Sequence, residues 1–361
     1  MTALHQLTAS FAKGDAISNE ALALRNVFRS WGCESEIFSE VRRILPELRR
    51  DVRDIAGCAK ALRPGDAVLL HLSIGSPVNR IFRDLSCRKA ILYHNVTPPC
   101  YFERLQPATA WALEEGLKDV RALAGTAEVN LAVSRFNAEE LAGCGYRDVK
   151  VLPLVFDPAR LNERPDRRAL REWRDGCTNV LFVGRCAPNK KIEDVLDAFA
   201  HFQRTVEPES RLILVGSWAG CDRYRQVLNS RIKRLGLKRV EFAGSVPQPV
   251  LHAAYGAADL FLCLSEHEGF CIPLLEAMAH GVPVLAYAAA AVPETMDGAG
   301  ALVARKDYPE IAELMGRLCT DQALREAVLA GQRERVKRYF SRDLAGELRG
   351  LLAPLLAGRS P

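Results

Sequence analysis

The feature that most constrains the fold is an alternation of short runs that are apolar throughout with longer amphipathic runs. Examples of the short runs are "DAVLLHLS" and "KAILYHN" in the first half and "NVLFVG" and "DLFLCLS" in the second. Strands that are apolar on both faces and are separated by helices indicate parallel sheets covered by helices on both sides. The sequence therefore predicts an α/β architecture, and the pattern runs twice along the chain.

The chain has 361 residues, a length that suits two domains better than one core. A polar, arginine-rich stretch that contains prolines, Val155 to Cys177, separates the two runs of the pattern. We predict a doubly wound, Rossmann-like domain over residues 1–165 and a second one over 166–335, which face each other across a central cleft. A helical segment, 336–361, is expected to pack back towards the first domain. In such sheets, ligands bind at the carboxyl ends of the strands.

Composition narrows the possible partners and cellular locations. The net charge of +5 permits an anionic ligand or membrane surface but requires neither. Basic residues are not interleaved with aromatic ones, which argues against nucleic acid as a partner. The eleven cysteines are scattered and form no C-x-x-C pair, so we expect reduced thiols in a cytoplasmic protein and no zinc site. The N-terminus lacks the features of a signal peptide, and no stretch reaches the ~18 apolar residues of a membrane span.

Two acids interrupt an otherwise apolar stretch, "SEHEGFCIPLLEAMAHGVPVLA". Glu268 lies on the loop that follows a predicted strand, and Glu276 lies in a short helix that Gly281 ends. Both can face one pocket at the edge of the sheet, beside a helix N-terminus that favours anions. Because carboxylates accept hydrogen bonds from vicinal diols, the pair fits a ligand rich in hydroxyls. In the alternative interpretation, Glu268 caps the helix and Glu276 is a solvated surface residue.

Two cations follow the first strand of the second domain, in "NVLFVGRCAPNKKIEDVLDAFA". Arg185 and Lys190 lie on the loop between this strand and the next helix, where cations can clamp a diphosphate. The alternative is two surface cations. The chain contains no Gly-x-x-x-x-Gly-Lys-Ser/Thr, and no Gly-x-Gly-x-x-Gly opens a helix, which argues against a P-loop or dinucleotide enzyme.

Three stretches, "FVGRCAPNKKIEDVLDAF", "SEHEGFCIPLLEAMAHGVPVLA" and "AVPETMDGAGALV", together resemble the retaining glycosyltransferases of family 4, which have the GT-B fold. Glu268 and Glu276 match the family's signature of two glutamates separated by seven residues. The resemblance implies a hexosyltransferase that needs no metal and no cofactor. It would move a sugar from a nucleotide diphosphate donor to a saccharide or lipid-linked acceptor, in bacterial cell-surface polysaccharide or glycan biosynthesis. The stretches "PNKKIED" and "SEHEGFC" resemble those of bacterial mannosyltransferases of cell-surface polysaccharide assembly, and this resemblance favours mannose from GDP-mannose.

The resemblance also implies roles for individual side chains. Arg185 and Lys190 would neutralise the donor diphosphate and assist its departure. Glu276 would bind the ribose hydroxyls, and Glu268 would orient the donor sugar. His94, at the end of a first-domain strand, matches a family histidine near the reaction centre; taken alone, it is equally typical of a buried structural histidine.

Backbone contacts and departures from the family pattern complete the expected site. The backbone amides of Gly269, Phe270 and Cys271 would lie along the sugar, although Cys271 stands where relatives have a smaller residue. Gly14 would let the backbone approach a phosphate, with Asp15 near the acceptor.

Other interpretations stay open from the sequence alone. One is a catalytically silent subunit that binds a nucleotide sugar, and another is a sugar-nucleotide epimerase with the same fold. The basic stretch "VRRILPELRRDVRDIAGCAKALR", which includes Arg42, Arg43, Arg49 and Arg50, could dock on the inner face of the plasma membrane if the acceptor is lipid-linked. A solvated helix face is the alternative for this stretch.

Overall fold

The computed structural model describes residues 3–12 and 14–356, with the backbone alone at Arg43. It divides into two compact units. The first comprises Met1–Cys100, Pro107–Asp157 and Asp343–Pro361, and the second comprises Tyr101–Gln106 and Pro158–Arg342. Residues 357–361 of the predicted C-terminal segment lie outside the described part.

The first unit is built on a parallel sheet of seven strands. They are β1 (Leu4–Thr8), β2 (Ile37–Ser39), β3 (Arg53–Asp54), β4 (Ala67–Leu72), β5 (Arg88–Tyr93), β6 (Val129–Ala132) and β7 (Lys150–Val151). The strand order is β3-β2-β1-β4-β5-β6-β7. Every residue of β1 and β4 is buried, and β4 is apolar except for His71, whereas β1 also buries the polar side chains of His5, Gln6 and Thr8.

The second unit has a parallel sheet of six strands. They are β8 (Thr178–Val183), β9 (Ser210–Val215), β10 (Val240–Gly244), β11 (Leu260–Cys263), β12 (Val284–Tyr287) and β13 (Ala301–Val303). The order β10-β9-β8-β11-β12-β13 means that the chain first moves outward from β8 and then returns to place β11 on its other side. Such a switch point leaves a crevice at the carboxyl ends of the two central strands, where doubly wound sheets bind ligands.

Helices connect the strands in both units. They are α1 (Ala16–Ser30), α2 (Cys58–Ala61), α3 (Pro77–Asp84), α4 (Pro107–Ala122), α5 (Arg135–Gly143), α6 (Arg167–Trp173), α7 (Ile192–Thr205), α8 (Asp222–Leu235), α9 (Gln248–Ala257), α10 (Ile272–Ala279), α11 (Val292–Met296), α12 (Tyr308–Thr320), α13 (Gln322–Phe340), α14 (Leu344–Leu351) and α15 (Ala353–Leu356). Helix α1 shows how the sequence sets its bounds: the Asp15 carboxylate caps its first turn by accepting from Ser18 N. Leu24 and Phe28 on its inner face are fully buried. Within the described residues, no helix is both long enough and apolar enough to cross a bilayer.

The unit boundaries lie at different residues from those expected from the sequence, after 157 and 342 rather than after 165 and 335. Side-chain and backbone contacts explain both differences. Arg160 Nη2 donates to Gln248 Oε1 at 2.9 Å, and Asp166 N donates to Pro249 O at 2.8 Å, so the linker packs on the second unit. At the other boundary, α13 continues to Phe340 and Arg338 Nη2 pairs with Asp297 Oδ2 at 3.0 Å, so this stretch stays with the second unit. Beyond it, Arg88 Nη1 donates to Leu355 O at 2.9 Å, which ties α15 to β5.

The basic stretch of the first unit does not form one amphipathic helix. It folds as two 3-10 turns, Val41–Arg43 and Pro46–Leu48, followed by β3, a third 3-10 turn and α2. The interpretation as a solvated helix face is therefore wrong, and Pro46 is one physical reason, because proline interrupts a helix interior. Leu45 between the turns is 60% exposed.

Candidate active site

An ion pair joins the loops that follow β8 and β11. Lys190 ends the 3-10 turn Pro188–Lys190, and its Nζ lies 2.5 Å from Oε2 of Glu268. The two side chains are 19% and 8% exposed. Burial opposes a charge on the lysine, but the Glu268 carboxylate outweighs it and raises the pKa of Lys190. The pairing shows that Glu268 does not cap α10, whose first turn has no side-chain cap.

The loop that carries Glu268 is held by hydrogen bonds on both sides. Asn189 Nδ2 donates to His267 O, and Glu266 N donates to Asn189 O, both at 3.0 Å. Farther along the loop, Thr295 Oγ1 donates to Phe270 O. These bonds fix the backbone around Glu268, so the carboxylate is positioned before any ligand arrives.

Gly269, Phe270 and Cys271 form the approach to α10. Cys271 is the residue before the helix and adopts a left-handed conformation with φ of 70°. This conformation favours glycine, which accounts for the small residue that the family resemblance leads one to expect here. Of the first residues of α10, Pro273 has no N–H, and Leu274 N donates to Cys271 O at 3.1 Å.

Glu276 is the fifth residue of α10 and so lies in the second turn rather than the first. Its Oε2 accepts a hydrogen bond of 2.9 Å from Tyr255 Oη on α9. The Tyr255 ring stacks on His280, with 4.8 Å between ring centroids. Burial raises the pKa of Glu276, against the lowering influence of the Tyr255 hydrogen bond and of the Arg160 charge. The interpretation as a solvated surface residue is therefore wrong.

Arg185 lies on the same loop as Lys190 but is exposed. Its Nη2 contacts Cys221 Sγ at 3.9 Å. No carboxylate among residues 3–12 and 14–356 pairs with it, whereas Lys190 is already paired. The guanidinium of Arg185 is thus available to an anionic ligand and, within the described part of the chain, has no ion pair to give up.

The site residues expected in the first unit lie at the carboxyl ends of its central strands. Gly14 has φ of 78°, and a Cβ added there would meet nothing within 4 Å. Asp15 is already engaged, since it accepts from Ser18 N at 2.9 Å and from Ser18 Oγ at 2.7 Å. His94 follows β5 and is buried.

Sequence reasoning missed three residues that contact the expected site residues: Tyr255, His71 and Glu20. His71 Nδ1 lies 2.9 Å from Nε2 of His94, and Glu20 Oε2 lies 3.4 Å from Nδ1 of His94. A signal did exist for one of them, because His71 interrupts the apolar strand "DAVLLHLS". Glu20 is fully buried on α1, but only the structure shows this.

Two clusters of described residues have metal-ligand atoms within 4.8 Å of one another: Glu20, His71 and His94 in the first unit, and Cys263, Glu268 and Cys271 in the second. In the first cluster the imidazoles bond to one another. In the second, the Lys190 ammonium occupies the carboxylate of Glu268.

The family model described as "Glycosyl transferases group 1" matches residues 164–335. Residues 164–335, a little less than half of this chain, thus resemble the group 1 glycosyl transferases. The matched range contains Arg185, Lys190, Glu268 and Glu276, so the ion pair and the tyrosine-bound carboxylate lie among the residues that the family model matches.

Two curated relatives illustrate the sequence likeness of this chain. O-antigen chain mannosyltransferase B of Escherichia coli is 30% identical over 160 residues, which cover 44% of this chain and 42% of that protein. The GDP-mannose-dependent alpha-(1-6)-phosphatidylinositol monomannoside mannosyltransferase of Mycolicibacterium smegmatis is 29% identical over 256 residues, 66% of this chain and 65% of that protein. The chain thus matches less than two thirds of either relative's own length.

The fold is also that of known structures. HepE from Anabaena, solved in complex with UDP-glucose, superposes with a TM-score of 0.76 at 19% identity, over 98% of this chain and 99% of that one. The chain has two doubly wound, Rossmann-like units and this likeness, and so it has the GT-B fold, as the sequence predicted.

Proposed function

We propose that the chain is a retaining glycosyltransferase that moves a sugar from a nucleoside diphosphate to a saccharide or lipid-linked acceptor, without a metal ion, in the assembly of cell-surface polysaccharides or other glycans. The observation that carries the proposal is the juxtaposition at the switch point of the second sheet. There, the loop after β8 supplies Arg185 and Lys190, and the loop after β11 supplies Glu268. Glu276 follows on α10.

The chemistry of the leaving group supports this assignment. Breaking the bond between C1 and the phosphate oxygen places negative charge on the departing diphosphate. A preorganised donor aimed at such charge is typically worth about 3 kcal/mol. A lysine ammonium has three N–H donors, so Lys190 can keep Glu268 and still bind a phosphate oxygen. Arg185 adds a second permanent charge, and the two cations together would serve in place of a metal ion.

Glu268 is assigned to orienting the sugar and not to covalent attack. Its carboxylate is neutralised by Lys190 at 2.5 Å, which reduces its nucleophilicity. Its other oxygen would accept hydrogen bonds from sugar hydroxyls. Glu276, with one oxygen held by Tyr255, would offer the other to the ribose diol.

Mannose from GDP-mannose is the donor we propose. Support comes from the two mannosyltransferases named above, one of which is GDP-mannose-dependent by name. The complex of HepE with UDP-glucose concerns a protein with the same fold and only 19% identity, so uridine donors belong in the test.

Two measurements test the proposal together. In a thermal-shift panel, the matching nucleotide sugar at 100 times its dissociation constant is expected to stabilise the protein by roughly 2.7 kcal/mol. Release of nucleoside diphosphate should then depend on an acceptor and should persist in excess EDTA. A shift without release on any acceptor favours the silent subunit, conversion of the donor without acceptor favours an epimerase, and no shift with any nucleotide sugar contradicts the donor assignment.

We also propose peripheral contact with an anionic membrane through the turns around Leu45. This exposed leucine lies between the exposed side chains of Arg42 and Arg49, with Arg50 beside them. An apolar tip flanked by cations suits an anionic interface. Sedimentation with phosphatidylglycerol vesicles is expected to fall on charge reversal at Arg42, Arg49 and Arg50 and to vanish with neutral vesicles. Sedimentation that the reversal leaves unchanged would rule out this surface.

A further inference from the structure

A chain of four buried polar side chains runs through the switch point of the first sheet. Gln6 lies on β1, His71 on β4, His94 directly after β5, and Glu20 on α1. Gln6 Oε1 is 2.9 Å from His71 Nε2, His71 Nδ1 is 2.9 Å from His94 Nε2, and His94 Nδ1 is 3.4 Å from Glu20 Oε2. The strands place them together, because β4 pairs in parallel with both β1 and β5.

The hydrogen bonds determine where each proton lies. Gln6 Nε2 donates to Ala21 O at 2.9 Å, so the Gln6 oxygen faces His71 and must accept from its Nε2–H. In neutral His71, Nδ1 is then bare and accepts from His94 Nε2–H. That leaves Nδ1 of neutral His94 bare as well, facing Glu20.

Glu20 can continue this chain of hydrogen bonds only if its carboxyl group carries a proton. Its Oε1 accepts from Val155 N at 2.6 Å, and its Oε2 has no hydrogen-bond partner besides the nearby His94 nitrogen. A proton on Oε2 points at the bare Nδ1 of His94. A carboxylate there would instead place two acceptors face to face.

Burial makes all three titratable groups neutral near pH 7. It raises the pKa of Glu20 to about 8, against the lowering influence of the Val155 amide. It lowers the pKa of His71 to about 3, and burial together with His71 lowers the pKa of His94 well below its usual value. The groups that face Glu20 are the His94 ring and the Val155 amide, both uncharged.

We propose that Glu20 and His71 are positioning residues for His94, which together hold its ring neutral with the single proton on Nε2. This inference rests on the proposed function in one respect: His94 is taken to lie near the reacting sugar. A neutral imidazole places no net charge beside the sugar, so His94 would act on the ligand only through the dipole of its ring. Ionising Glu20 would draw a proton to Nδ1 of His94 and break the bond to His71.

The predicted signature is in the pH dependence of turnover. With Glu20 titrating at about pH 8, kcat of the wild type is expected to fall about tenfold by pH 9, as a single deprotonation requires. Glu20→Gln mimics the protonated acid, because its amide can accept from Val155 N and donate to His94. This variant is expected to keep kcat within about threefold at pH 7 and to lose the fall above pH 8.

Glu140→Gln is the matched control. Glu140 is a half-buried acid of the same unit, and its Oε2 accepts from Asn95 Nδ2 at 2.7 Å. Burial raises the pKa of Glu140, as it does that of Glu20. The control should retain the alkaline fall. If Glu140→Gln removes the fall, or if Glu20→Gln keeps it, the inference is overturned.

A spectroscopic measurement tests the network without any need for activity. Two-bond ¹H–¹⁵N spectra of the histidine-labelled full chain are expected to show His71 and His94 as neutral rings protonated on Nε2 from pH 6 to 7.5. Signals would be assigned with His71→Gln and His94→Gln. A proton on Nδ1, an imidazolium at pH 6, or a stoichiometric zinc ion on these rings overturns the inference. If no donor or acceptor supports transfer, the proposed function fails while this measurement still decides the tautomers.

Discussion

Lys190→Ala is expected to lower kcat for sugar transfer by roughly 10²–10³-fold, because it removes a preorganised cation from the leaving diphosphate. It should also destabilise the protein. The alanine leaves Glu268, with a side chain 8% exposed, as a buried carboxylate without its partner. Breaking a buried pair from one side typically costs about 3–5 kcal/mol. Turnover is measured as acceptor-dependent release of nucleoside diphosphate at saturating donor, and stability by urea unfolding.

Two controls separate these effects. Lys118→Ala removes a Lys–Glu pair of the same kind from the surface, where the side chains of Lys118 and Glu115 are 59% and 39% exposed. This variant is expected to change the free energy of unfolding by less than about 1 kcal/mol and to leave turnover unchanged. Lys190→Met combined with Glu268→Gln removes both buried charges. This double variant should regain stability but not turnover. Full turnover in either variant that lacks the Lys190 ammonium would contradict its role at the leaving group.

The architecture can be predicted from the sequence because a strand that is buried on both faces is apolar at nearly every position. Strands such as β4 and β11 are apolar at nearly every position, and only a parallel sheet covered on both sides buries them so. No comparable pattern in the sequence indicates the boundaries between the units. They depend on single contacts such as that of Arg160 with Gln248, which no periodicity records.

The residues of the candidate site could be found from the sequence, but their pairing could not. Lys190 and Glu268 are 78 positions apart, and they meet only because β11 returns to the side of β8. Motifs therefore indicated two separate functions, a phosphate clamp and a sugar contact, where the structure shows one ion pair. His71 escaped notice for a related reason: a polar residue in an apolar strand indicates a buried partner but does not identify it. Glu20 escaped notice because an acid in an amphipathic helix is typical of a solvated position.

Glu276→Ala is expected to weaken donor binding by about 30- to 100-fold while leaving kcat at saturating donor within a few fold. Hydrogen bonds to a charged group are worth about 1.5–3 kcal/mol each, and the alanine also leaves the Tyr255 hydroxyl without its acceptor. Because burial raises the pKa of Glu276, affinity should be lost on acidification at a higher pH than an exposed glutamate would give. Calorimetric titration with the donor measures both effects.

The contrast with neighbouring groups makes this test specific. Tyr255→Phe keeps the Glu276 carboxylate but removes the hydroxyl that orients it. This variant should lose measurable affinity for the donor, but less than Glu276→Ala loses. Glu310→Ala, which removes an exposed acid paired with Arg305 at 2.9 Å, should leave the donor's dissociation constant unchanged. A contact to the ribose acts equally in the ground and transition states, so we expect the substitution to change the donor's dissociation constant and not kcat. A Glu276→Ala variant that binds donor within twofold of the wild type would remove this carboxylate from the donor site.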